Sequence, residues 1–181
     1  MWARMQCEKQ IRLSKNTLRP FAPFFWGFAL LFSVVGCSLV GGTPGLNHAS
    51  GFSSSAPDDW KQISQKDSDE AYALPSGSIV TLVSSCDHRS QAPLEALSNQ
   101  LLIGSRNRKI YTRTAERIGS RDGLWTSSQV EVESTPIQLT FFVTKSADCV
   151  FDFSLMKKGD IPKGDTAEFR KYISTFQYGK N

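Results

Sequence analysis

Between Lys109 and Leu155 the sequence is almost continuously strand-forming, and this constrains the fold more than any other feature. Lys109–Glu116, Leu124–Glu133, Pro136–Thr144 and Cys149–Leu155 are rich in β-branched and aromatic residues and are separated only by short polar turns, such as Gly119–Gly123. Strands joined this closely form an antiparallel meander. Their alternation predicts an inward set of Val130/Val132, Ile137/Leu139/Phe141/Val143 and Val150 or its neighbours, and a one-residue slip would reverse a face. Ahead of the meander, Trp60–Ile63, Glu70–Leu74 and Gly77–Val83 are shorter strand candidates, with a turn at Pro75–Gly77.

Two helices punctuate the strands. Leu94, Leu97, Leu101 and Leu102 recur at helical spacing, Pro93 suits a first helical position and Gly104 a stop, which predicts a helix over 93–103. Phe169, Tyr172, Ile173 and Phe176 make one apolar stripe, predicting a closing helix over 165–176 capped by Asp165 or Thr166. The fold class is therefore α+β: an antiparallel sheet of about five to six strands with two helices packed on it. The folded part is a single domain over 58–177, without internal repeats.

The opening Trp60 before a short hairpin, the strand order, and the final helix from Phe169 to Phe176 resemble the PsbP-like sandwich. That fold is named for photosystem extrinsic proteins and also occurs in bacterial lipoproteins. The resemblance covers about residues 58–177 and has no diagnostic motif.

Residues 1–36 are of a different kind. Five of the 21 Lys and Arg, but only one of the 17 Asp and Glu, fall there, so the formal charge of +4 belongs to this segment and the remainder is balanced. A basic stretch to Pro20 is followed by an apolar run from Phe21 to Val35, about 15 residues and short of the roughly 20 needed to span a bilayer. Val34, Val35, Gly36 and Cys37 close it, and they resemble the lipobox of bacterial lipoproteins, with Val34 where the family prefers Leu. The resemblance implies that 1–36 is a signal peptide removed by signal peptidase II. It also implies that Cys37 carries diacylglycerol and a further acyl chain such as palmitate; two or three chains anchor stably where one does not. Ser38, rather than Asp, points to the outer membrane, facing the periplasm. Residues 37–57, rich in Gly, Ser and Ala and without Lys, Arg, Asp or Glu, read as a flexible tether.

A neutral mature chain offers no global field for nucleic acid. Cys86 ends one strand candidate and Cys149 begins another, and an exported compartment permits a disulfide between them; two separate buried thiols are the alternative. Cys86, Asp87 and His88 are possible metal ligands, but adjacent side chains rarely converge on one ion and no second cluster supports them, so neither metal nor cofactor is expected. His48 and His88, the only imidazoles, lack the flanking patterns that expose a nucleophile, so no catalytic residues are assigned and the protein is expected not to be an enzyme.

Arg106, Arg108, Lys109, Arg113 and Arg117 form a basic stretch, and on a regular strand Lys109, Arg113 and Arg117 share a face. One reading is contact with an anionic surface such as phosphate-bearing lipid. The plainer one is a solvated sheet face balanced by Glu116, Glu131 and Glu133. Trp60, Trp125, Phe141, Phe142, Phe151 and Phe153 read as core rather than as a ligand groove. These readings together predict a lipid-anchored envelope protein. Its expected role is non-catalytic: binding another protein, or serving a membrane complex such as a transporter. A small-ligand or lipid-binding domain, or an envelope enzyme, are the alternatives.

Overall fold

The central sheet places seven antiparallel strands in the order β2 (Lys61–Gln62), β3 (Glu70–Ala73), β4 (Ile79–Ser85), β8 (Cys149–Lys158), β7 (Thr135–Ser146), β6 (Arg121–Val132) and β5 (Arg106–Ile118), so the sequence order breaks once, where β8 inserts beside β4. The computed structural model describes residues 47–179, apart from the side chains of residues 88 and 89. Residues 1–46, which include the expected signal peptide and Cys37, lie outside the described residues. β2 and β3 are short, β4 is longer, and the meander runs β5, β6, β7 and β8. β1 (Phe52–Ser53) and β9 (Gln177–Tyr178) pair with each other outside this sheet. Two helices complete the fold, α1 (Leu94–Gln100) and α2 (Lys163–Thr175). This is the α+β arrangement of two helices on an antiparallel sheet; the two-residue edge strand β2 brings the count to seven.

The meander strands are long because their turns are short. Gly119, with φ +59°, turns β5 into β6 beside the end of α2. Glu133 and Ser134 both take positive φ, +50° and +64°, in the two-residue link from β6 to β7. Two positive φ values in such a link match the twist of the hairpin strands.

Both faces of the sheet are covered, which explains the unbroken apolar run Phe141, Phe142 and Val143. The inward set expected from alternation does share a face. Val130, Phe141, Val143 and Val150 form a small core with Leu97 and Leu102, and Val132, Ile137 and Leu139 pack against it. The intervening residues build a larger core. Trp125, Phe142, Phe151, Phe153 and Leu155 meet Phe169, Tyr172, Ile173 and Phe176 from α2 and the residue after it. Gly123 makes room for this layer, since a Cβ there would collide with the Phe142 ring and the Val143 carbonyl. All six aromatic residues expected in the core are buried.

Two local expectations are corrected. α2 starts after Pro162 without a side-chain cap. Asp165 lies inside the helix, where its carboxylate accepts hydrogen bonds from Ser76 Oγ at 2.5 Å and from Ser78 Oγ. It ties α2 to the β3–β4 turn and is buried in doing so. Residues 47–57, read as tether, lie on the domain instead. Ala49 is buried with its N–H on Ser84 Oγ (2.7 Å), and Phe52 packs against Phe151 and Phe176. One aromatic ring, a few backbone bonds and the side chains of His48 and Ser54 order this stretch despite its Gly and Ser content.

Candidate functional site

Cys86, Cys149, His48, Asp69, Ser84 and Glu70, the described side chains best suited to chemistry, are engaged within the fold. Cys86 and Cys149 are joined by a disulfide one rung beyond the paired Ser85 and Val150. At the same end of the sheet the chain enters the domain: Cys86 donates its N–H to the Asn47 carbonyl at 2.7 Å. His48 Nδ1 lies 2.8 Å from Asp69 Oδ1, and Asp69 Oδ2 accepts the Ser84 N–H at 2.5 Å. Serine, histidine and aspartate thus meet, but not as a nucleophile relay. A relay needs the hydroxyl on the imidazole, whereas Ser84 is fully buried and its Oγ accepts the Ala49 N–H. The trio clasps the entering chain to β4.

Glu70 is a second hub, missed in the sequence because a lone carboxylate in a short strand carries no spacing signal. Its Oε2 accepts Ser54 Oγ (2.5 Å), Tyr172 OH (2.6 Å) and Tyr72 OH (3.3 Å). Burial, then the bond to Glu70, pushes the Tyr172 phenol well above its ordinary pKa, and burial with the Glu70 charge does the same to Tyr72. Trp60 stacks against both tyrosines and donates to Glu168 at 3.3 Å. Beside this hub lies an open depression of about 390 Å³ whose walls include Gln62, Gln65, Ser68 and Asp69. Its polar lining is unlike the apolar walls of a lipid or drug-sized ligand pocket. Among the described residues no three His, Cys, Asp or Glu side chains converge as a metal would require. Nor, among them, is any helix long and apolar enough to cross a membrane.

β5 differs in its backbone, one side of which is open. It is an edge strand of 13 residues, and no strand lies beyond it among the described residues. All of Arg106 to Thr112 is exposed, including Ile110 and Tyr111 at 44% and 47%. The structure brings the five predicted basic residues onto this strand but divides them between faces. Ile110 pairs with Ser128 while Thr112 pairs with Ser127, so Tyr111 is an extra residue and the alternation flips there. Arg113 and Arg117 oppose Thr126 and Asp122 on the α1 face, whereas Lys109 opposes Gln129 on the other. The expectation that Lys109, Arg113 and Arg117 share a face fails because of that bulge, and Lys109 lies over the Tyr111 ring at 5.3 Å instead.

The expected charge balance is also rearranged. Glu116 is held by Arg170 of α2 through two bonds of 3.0 Å, while Arg170 stacks 4.0 Å from the Trp125 ring. Arg117 pairs with Asp122 at 3.2 Å, Glu131 accepts from Asn107 at 2.7 Å, and Glu133 sits in the β6–β7 turn. Arg108 Nε donates to the Ser105 carbonyl at 3.2 Å. Arg113 Nε and Nη2 are buried and have no acceptor among the described residues.

The arrangement is a PsbP-like α+β fold. The chain is similar to the solution structure of cyanobacterial PsbP (CyanoP) from Synechocystis sp. PCC 6803, with 14% identity over 79% of this chain and 98% of that one, at a TM-score of 0.51. A crystal structure from Bacteroides thetaiotaomicron matches at 17% identity and a TM-score of 0.53, over 71% of this chain, which spans 45% of that longer chain. LpqN of Mycobacterium tuberculosis, involved in cell envelope biogenesis, aligns at 9% identity over 73% of this chain and 83% of its own, with a TM-score of 0.47, too low to inform function. No family model and no curated protein matches the chain. At these identities the likeness establishes the fold alone.

Proposed function

We propose that the protein is a lipid-anchored component of the cell envelope that acts by binding another protein, without chemistry of its own. The observation that carries this reading is the contrast just described. Glu70, Asp69, Asp165, Ser84 and Arg170 are committed to internal bonds, while the longest strand edge is left open and basic.

The anchor rests on the lipobox ending at Cys37. A disulfide in the domain fits an oxidising compartment. The entry of the chain at Asn47 limits how far the domain stands from lipid. Ten residues separate Asn47 from Cys37, a span of about 35 Å at full extension. Ser38 favours the outer membrane, periplasmic side, and an accessory place in a membrane complex such as a transporter follows from a domain held close to lipid.

The test is recovery of the native protein from membranes, followed by intact-mass and N-terminal peptide analysis and identification of co-isolated proteins. Acylated Cys37 with residues 1–36 absent, and a stoichiometric protein partner, are expected. An intact leader or a free thiol at residue 37 overturns the anchor; isolation of the protein alone overturns the binding role.

A further inference from the structure

We propose that the open edge of β5 takes up an acidic, extended segment of a partner protein as an eighth strand of the sheet. This rests on the protein-binding reading and specifies its site and partner chemistry. An edge strand presents unpaired N–H and C=O groups, which an incoming strand can satisfy. From Thr112 to Ile118 β5 keeps an unbroken register with β6, so its outer side offers a regular ladder of seven residues. The bulges between Arg106 and Thr112 end that regular ladder on its N-terminal side.

Charge selects the occupant. β5 carries five basic residues and one acidic residue, and that one, Glu116, is taken by Arg170. A second copy of the strand would set basic side chains against basic ones, which opposes self-pairing. On the α1 face Arg113 and Arg117 stand four residues apart with Ala115 between them. A neighbouring strand with carboxylates four apart and a small residue between would match that row.

Only an extended chain satisfies the N–H and C=O groups of this edge; lipid phosphate can reach the basic side chains but leaves the ladder unpaired.

The experiment is amide hydrogen exchange on the mature protein with three probes: a ten-residue peptide repeating Glu-Thr-Ala-Thr, its counterpart with Lys in place of Glu, and phosphatidylglycerol-containing vesicles. The Glu peptide at about nine times its Kd is expected to slow outward amides of Thr112–Ile118 by about tenfold and leave β2 unchanged. The Lys peptide and the vesicles are expected to leave β5 unchanged. Arg113→Glu with Arg117→Glu is expected to weaken the Glu peptide by at least about tenfold, and the charge swap on the peptide makes the same comparison with the protein untouched. Unchanged β5 exchange with the Glu peptide, equal protection by the Lys peptide, or protection by vesicles in its place overturns the proposal. Exchange on the native membrane-extracted complex separates the two readings. A footprint away from β5 overturns strand addition while sparing the protein-binding role. Absence of any co-isolated protein overturns the role itself.

Discussion

The two faces of the sheet are built differently. The face under α2 is a continuous aromatic layer, in which Phe142, Phe151, Phe153, Phe169 and Tyr172 are fully buried, closed by the disulfide and by the Glu70 and Asp165 hubs. The face under α1 is smaller and more polar. A seven-residue helix rests on it through Leu97 and the flanking Leu102, and through a bond of 3.2 Å between Ser98 and Thr126. Stability is therefore concentrated on the α2 side. The smaller apolar core under α1 predicts that this helix opens at a lower free energy than the α2 side.

The largest expected effect lies in the aromatic layer. Phe153→Ala removes a ring that touches Phe142, Tyr172 and Phe176, and chemical denaturation should show a loss of about 3–5 kcal/mol. Replacing Cys86 and Cys149 together with Ala should cost about 2–4 kcal/mol, since the bridge closes a separation of 63 residues. Thiol labelling of the unreduced parent should find neither cysteine reactive. Leu97→Ala, on the α1 face, should cost about 2–3 kcal/mol, and α1 amides should exchange through an opening of lower free energy than those of β7 and β8. If α1 exchanges only with global unfolding, the contrast between the faces is wrong.

Alkaline pH probes the α2 side again, more gently. The Tyr172 phenol has a higher pKa folded than unfolded, because burial and Glu70 disfavour the phenolate. Below the unfolded value of about 10 its contribution is complete. Above that, the unfolded chain loses the proton first, so stability should fall with rising pH by at most about 1.4 kcal/mol per unit for this group. Tyr172→Phe should flatten that slope while costing about 1–2 kcal/mol at neutral pH through the lost bond to Glu70. An unchanged slope in the variant would remove Tyr172 from the account.

The meander, both helices and the α1-face residues were legible in the sequence because each rests on local periodicity. What escaped depends on distant partners or on backbone geometry. Residues 47–57 read as tether since Phe52 is the lone ring among Gly and Ser, and its partners Phe151 and Phe176 lie about a hundred residues on. Only the pairing of a histidine and a phenylalanine in an otherwise featureless stretch hinted that it docks. The bulge at Tyr111 escaped because Lys109 to Arg113 is short and strand-forming throughout, and one inserted residue leaves no mark in composition. Reading Lys109, Arg113 and Arg117 as one face followed directly from missing it.

The smallest effect bears on what β5 is for. Arg117 and Asp122 form an exposed pair at 3.2 Å, and pairs of that kind contribute about 0–1 kcal/mol. Arg117→Ala should therefore change the denaturation midpoint by no more than the equivalent of about 0.5 kcal/mol. The same holds for Arg108→Ala, whose Nε donates to the Ser105 carbonyl from an exposed position. A strand whose charges the fold does not need has them for solubility or for a partner. Solubility alone would tolerate carboxylates in their place, so exchanging Arg113 and Arg117 for Glu separates the two: a soluble, stable variant with lost binding assigns the charges to recognition. A loss of more than about 1 kcal/mol from Arg117→Ala would instead give them a structural purpose and bring the β5 edge closer in kind to the α2 face.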